Sequence, residues 1–155
     1  MIKNVFILIV ILGIYPTVNA HASSCDNSCK EAAIEKYFEK LSIVFRKGSD
    51  ESDVEDFFSL FHDSVKYQHF EYEAEFNKTE WMAAFKNNLK QGIYNKNSLA
   101  GMKVESYIFG KSHVAVEYGY GDLSEGDVWT PKGDQNLLVI FGFKENKIYL
   151  VREYW

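Results

Sequence analysis

The segment "SLFHDSVKYQHFEYEAEF", Ser59 to Phe76, changes periodicity part-way along its length. Up to Phe61 the apolar residues Val54, Phe57, Phe58, Leu60 and Phe61 recur at helical spacing. From Val65 the period is two, with Val65, Tyr67 and His69 facing one way and Lys66, Gln68 and Phe70 the other. A helix therefore hands over to a strand, and His69 lies on the strand face that carries Val65 and Tyr67.

The chain on either side extends this division. Ser28 and Glu31 have capping-box spacing, and Ile34, Tyr37, Phe38, Leu41, Val44 and Phe45 then form one apolar stripe, which predicts a long helix ending near Gly48. Ser52 and Glu55 repeat the box ahead of the second helix. Asn77 and Glu80 do so ahead of a third, whose stripe is Trp81, Phe85 and Leu89 before Gly92. After that come four β-branched and aromatic runs, "MKVESYIF", "HVAVEYGY", "QNLLVIFGF" and "KIYLVREYW". The first two join through Gly110-Lys111-Ser112 and the last two through Lys144-Glu145-Asn146-Lys147. The longer connection "GDLSEGDVWTPKGD" lies between the pairs. Three helices ahead of an antiparallel meander predict an α+β domain with its helices on one face of the sheet. No internal repeat or low-complexity segment interrupts it.

Composition agrees with one ordered domain: 155 residues, 46% apolar and 16% aromatic, suffice for a substantial core. The opening "MIKNVFILIVILGIYPTVNAHA" has one positive charge, Lys3, an apolar run from Val5 to Ile14, then Pro16 and small residues. A span of the bilayer needs about 20 apolar residues. Residues 1–22 therefore read as a secretory signal peptide, cut after Val18-Asn19-Ala20 or Ala20-His21-Ala22, leaving a single domain over 23–155. A retained membrane anchor is the alternative. Cys25, behind Ala22-Ser23-Ser24, lies too far from the apolar run to accept a lipid. A secreted or periplasmic location follows, without stable membrane insertion after cleavage.

Loss of Lys3 takes the formal charge from −5 to −6. An acidic domain without a Lys/Arg cluster is poorly suited to a phosphate backbone, which argues against nucleic acid as partner. The two cysteines, Cys25 and Cys29, are separated by three residues and so do not form a C-x-x-C redox motif. In an oxidising compartment they form a local disulfide candidate, provided their Cα atoms approach within about 7 Å.

Three stretches, "LFHDSVKYQHF", "TPKGDQNLLVIFGF" and "ENKIYLVREYW", in this order, resemble the nuclear transport factor 2-like superfamily, and in particular its SnoaL-like branch of polyketide cyclases. The resemblance covers about Glu31 to Trp155. It implies a curved antiparallel sheet wrapped around the long first helix to make a cone with an interior pocket. Relatives include ketosteroid isomerase, scytalone dehydratase and limonene epoxide hydrolase beside non-catalytic binding domains, so the resemblance implies a pocket and leaves the reaction open.

By that resemblance His69 stands where the isomerases carry their general base, and an imidazole is suited to that task near neutral pH. Tyr67, on the same strand face, and Tyr37, at a position similar to the isomerase tyrosine, are candidate hydrogen-bond donors to an oxyanion. Both are also ordinary packing residues. Val139 occupies the position of an isomerase aspartate, so the two-donor oxyanion hole is incomplete and ketosteroid isomerase activity itself is not expected. Val65, Val139, Trp129 and Arg152 are candidate ligand-lining residues. Arg152 would meet an acidic group if it points inward, and Glu153 must then face the other side. Glu71, Glu73 and Glu75 at strand spacing read as a solvated face. His62, His69 and His113 lie on separate elements, so no metal is expected, and no cofactor is called for.

Three readings follow: an exported domain binding a small, largely apolar ligand; a cofactor-free isomerase, dehydratase or cyclase with His69 as base; and a homodimer or protein-interaction module using the open sheet.

Overall fold

Helix α1 (Asn27–Val44) starts a computed structural model that describes residues 25–96, 101–123, 129–133 and 136–155. The apolar leader and its cleavage sites lie outside these residues. Asp26, not Ser28, caps α1: its carboxylate accepts from the Cys29 N–H at 2.9 Å and from the Ser28 hydroxyl at 2.8 Å. Helix α2 (Glu51–Phe58) likewise has its cap two residues before the expected one, with Asp50 and Asp53 making the reciprocal box. In both cases an aspartate just upstream, a strong capping acceptor, supplants the serine. Helix α3 (Lys78–Lys90) has the expected Asn77–Glu80 box.

The strands are β1 (Phe61–His69), β2 (Ala74–Asn77), β3 (Gly101–Phe109), β4 (His113–Leu123), β5 (Trp129–Pro131), β6 (Leu137–Lys144) and β7 (Lys147–Tyr154). They form one sheet in the order β2-β1-β7-β6-β4-β3, with β5 paired to β4. The short β5 falls in what the sequence presents only as a long connection. One pair departs from the antiparallel expectation, since β1 and β7 run parallel. Hairpins force neighbouring strands to be antiparallel, whereas almost the whole fold separates β1 from β7 and leaves their direction unconstrained. Register shifts in β1/β7, β3/β4 and β6/β7 mark bulges, which bend strands and let the sheet curve.

Aromatic rings fill the concave side. On α1, Tyr37 packs on Phe141 of β6 at 4.8 Å between ring centres, and Phe38 on Tyr118 of β4 at 4.7 Å. Phe57, Phe58, Phe61, Trp81 and Phe85 join α2, β1 and α3 in a second layer of edge and tilted contacts. Such pairs add to what their buried area contributes. The glutamates of "EYEAEF" do not share one strand face. Phe70 to Glu73 is a turn, with the Glu73 N–H donating to the Phe70 carbonyl at 3.2 Å, and only Glu75 lies on a strand.

Two attachments fix the start of α1. Cys25 and Cys29 are joined by a disulfide, with Cα atoms 5.3 Å apart. Lys30, although a lysine, is buried, and its ammonium donates to the carbonyls of Gly110 and Lys111 in the β3–β4 turn at 3.0 Å each. Buried charges are tolerated when hydrogen-bonded in this way.

On the convex side, Trp129 of β5 lies over Gly119 and Gly121 of β4, with the Lys103 ammonium 5.1 Å from its ring centre. A Cβ on Gly121 would meet the Thr130 carbonyl oxygen at 2.5 Å and the Trp129 indole closer still, whereas one on Gly119 would make only ordinary contacts from 3.5 Å. Gly121→Ala should therefore cost about 1–3 kcal/mol in urea unfolding, the usual range for overpacking, while Gly119→Ala should be close to neutral. Equal effects would mean that Trp129 does not occupy this notch.

Candidate functional site

The parallel β1–β7 ladder sets His69 opposite Glu153 and Tyr67 opposite Val151, and β6 sets Val139 opposite Glu153. Residues paired in this way project to the same face of a sheet. Here that face is the concave one. Glu153 is only 6% exposed, and the Tyr67 hydroxyl donates to its Oε2 at 2.5 Å. Tyr118 supplies a second hydroxyl, and Tyr37 and Tyr120 are near enough for the Glu153 charge to be felt at their phenols.

Burial pushes the Glu153 carboxyl above its ordinary value, and hydrogen bonding from Tyr67 and Tyr118 offsets part of that rise. The same burial, together with the nearby carboxylate, raises the tyrosines: Tyr120 is pushed up to about 12, and Tyr37, Tyr67 and Tyr118 are raised as well. All four phenols therefore stay protonated, and Tyr67 donates directly to the carboxylate.

His69 sits beside this cluster, 4% exposed, with its ring 4.6 Å from Trp155 and 4.3 Å from Tyr72. Among the described residues, neither ring nitrogen has a hydrogen-bond partner. Desolvation draws its pKa below the ordinary value against the opposing charge of Glu71, which disfavours the charged imidazolium.

The sequence-predicted residues thus divide. Tyr67 and His69 do share the concave face, but Tyr67 is committed to Glu153. Tyr37 is enclosed by the rings of Phe38, Phe57, Phe61 and Phe141. Val65 and Val139 are enclosed in the apolar core, with 1% and 0% of their surface exposed, so as candidate lining residues they face other side chains. Trp129 is on the convex side, over its glycine notch. Arg152 is also convex: its partner across the ladder is Gln68, and its Nε donates to the Gln68 Oε1 at 2.6 Å. The inward-facing member of the Arg152–Glu153 pair is the glutamate.

Sequence reasoning missed Glu153, Tyr118 and Tyr120. The alternation of Val114, Val116, Tyr118 and Tyr120 in "HVAVEYGY" would have identified the two tyrosines. Among the described residues, no group of three or more His, Cys, Asp or Glu side chains is placed to hold a metal.

A cleft of about 510 Å³ opens between α1 and β3. Its apolar lining includes Phe38, Met102, Val104 and Tyr107, and charged Glu35, Glu39 and Arg46 also border it, while the Lys103 ammonium turns away to Trp129. Phe38 is the link inward, since its ring rests on Tyr118.

No protein-family model and no curated protein sequence matches the chain. Solved structures match along most of it. A SnoaL-like protein of unknown function from Burkholderia thailandensis E264 has a TM-score of 0.55 at 9% identity, over 83% of this chain and 96% of that one. An NTF2-like protein from Anabaena variabilis ATCC 29413 gives 0.55 at 14% identity, over 83% and 90%. An NTF-2-like protein of unknown function from Burkholderia xenovorans LB400 gives 0.53 at 11%, over 82% of each. The chain has the nuclear transport factor 2-like fold.

In this nuclear transport factor 2-like cone, the residues with most to reveal are those whose charge opposes their burial. A carboxyl whose folded pKa is raised binds more protons folded than unfolded, so its contribution to stability is complete below the unfolded pKa and is lost as pH rises through the folded one. Glutamine keeps an oxygen acceptor for Tyr67 without titrating. Glu153→Gln should therefore gain stability relative to wild type as pH is raised from about 4 to about 8 in chemical denaturation. A difference independent of pH would show that the carboxyl is not desolvated.

Proposed function

We propose that the protein is an exported binding domain for a small, largely apolar molecule held in the cleft between α1 and β3. The observation that carries this reading is the cleft itself: about 510 Å³ lies within the range of small-molecule sites, and apolar walls beneath a charged rim are their usual make-up. Export is supported by the apolar leader and by the Cys25–Cys29 disulfide, a bond that persists in oxidising compartments.

Met102 lines the cleft from an edge strand and is only partly buried, so it can be changed without opening the core. Met102→Lys should weaken binding of a neutral apolar fluorophore such as N-phenyl-1-naphthylamine by about tenfold or more, the expected cost of a charge placed in an apolar site, with an unchanged circular dichroism spectrum. Undiminished binding would place the ligand elsewhere.

His69 favours a second reading, proton-transfer catalysis. A buried imidazole without partners among the described residues costs about 1–3 kcal/mol per unsatisfied group and is poised in its basic form. Tyr67 cannot serve it freely while bonded to Glu153, so the carboxyl–phenol pair would act as the donor unit. On any substrate turned over, His69→Ala should reduce kcat by about 100-fold or more, the usual contribution of a general base, and leave the thermal unfolding transition cooperative. Retained turnover would exclude the histidine as base.

A further inference from the structure

The convex side of the β1–β7 ladder carries a second opening, a groove of about 520 Å³ that shares none of its lining with the α1–β3 cleft. Gln68, Phe70, Glu73, Glu75, Arg152 and Tyr154 line it, and His69 and Ala74 also border it. Phe70 is 67% exposed, and its ring stacks on Tyr154 with centres 5.6 Å apart and planes at 27°. The two rings make an apolar platform open to solvent.

Two charged groups flank that platform with capacity to spare. Arg152 is half-buried and held through Nε by Gln68 at 2.6 Å. Gln68 in turn donates to Glu75 Oε2 at 2.7 Å, and Lys66 donates to the other oxygen of Glu75 at 3.0 Å. This relay occupies Glu75 and orients the guanidinium while engaging only its Nε. Among the described residues the terminal nitrogens of Arg152 have no acceptor and no carboxylate within ion-pair distance. Planar guanidinium edges suit carboxylates, with two parallel hydrogen bonds. Glu73, also in the groove, has no ion-pair or hydrogen-bond partner for its carboxylate among the described residues. It is held at φ 49°, a left-handed conformation uncommon for a residue other than glycine, in the turn that follows β1.

We propose that this groove binds a small zwitterion with an apolar body, of the class of aromatic α-amino acids. The ligand carboxylate lies on Arg152, its ammonium on Glu73, and its side chain on the Phe70–Tyr154 platform. Charge complementarity selects this class. A plain anion would be repelled by Glu73 and a plain cation by Arg152, and only a ligand with both charges pairs with each. A second copy of the chain seated on the same face is the competing occupant.

Calorimetric titration with L-phenylalanine, 3-phenylpropionate and phenethylamine, with light scattering on the same samples, tests this. Phenylalanine should bind about tenfold or more tightly than either one-headed analogue, because each analogue lacks one of the two charged groups and forgoes its charge-assisted hydrogen bonds. Arg152→Gln should weaken phenylalanine by a similar factor. Glu73→Gln should weaken phenylalanine but leave phenylpropionate no weaker, an effect that loss of folding would not produce. Met102→Lys in the other cleft should leave phenylalanine binding unchanged, which separates this site from the one proposed above. Phenylpropionate binding wild type as tightly as phenylalanine would overturn the proposal, as would phenylalanine binding unaffected by Arg152→Gln. Failure of all three compounds to bind would also overturn it. If the chain is then dimeric, the face belongs to a second copy.

Discussion

The pairing of β1 with β7 is the constraint on which the rest of the structure depends. It joins strands from opposite ends of the domain, in parallel, and closes the curved sheet around α1. Because side chains alternate across a strand, one ladder fixes two surfaces together. His69 opposite Glu153 defines the concave cluster, and Gln68 opposite Arg152 defines the convex relay. A slip of one residue would exchange them, placing a guanidinium in the aromatic core and a carboxyl on the surface. The desolvation cost of that exchange makes the register self-selecting.

The concave cluster has an unusual balance of charge and burial. One carboxyl lies among protonated phenols, with Tyr67 donating to it, beside an imidazole whose burial disfavours its charged form. Buried polar networks are costly when partly satisfied, and here Glu153 is the satisfied member and His69 the unsatisfied one. Packing alone does not account for both. Glu153 is held by its phenol partner, while His69 is enclosed by the Trp155 and Tyr72 rings.

Much of this fold was legible in the sequence, and the reasons for the gaps are physical. The three helices were clear because their stripes are long, and "VKYQH" was clear because its apolar side is unambiguous. The closing strand was not. In "LVREYW", both alternations hold two apolar residues and one charged residue: Leu150, Arg152 and Tyr154 on one side, Val151, Glu153 and Trp155 on the other. Periodicity cannot choose between them, and only the ladder to β1 does. The direction of that ladder was equally hidden, since no hairpin joins its strands. The caps of α1 and α2 were misplaced because serine and aspartate compete within two residues of each other. Trp129 gave no indication of its side because the paired glycines beneath it carry no side chain to pattern.

The anchoring of α1 by Lys30 also has a mechanical meaning. The ammonium ties the first turn of the helix to the tip of the β3–β4 hairpin, at Gly110 and Lys111, while the disulfide stiffens the residues just before it. The cleft runs along the same helix toward Arg46, with Gly101 and Met102 of β3 at that far end. Helix and hairpin are thus hinged at one end like the covers of a book. Any widening of the cleft must grow with distance from Lys30, and the end of α1 nearest Arg46 becomes its door.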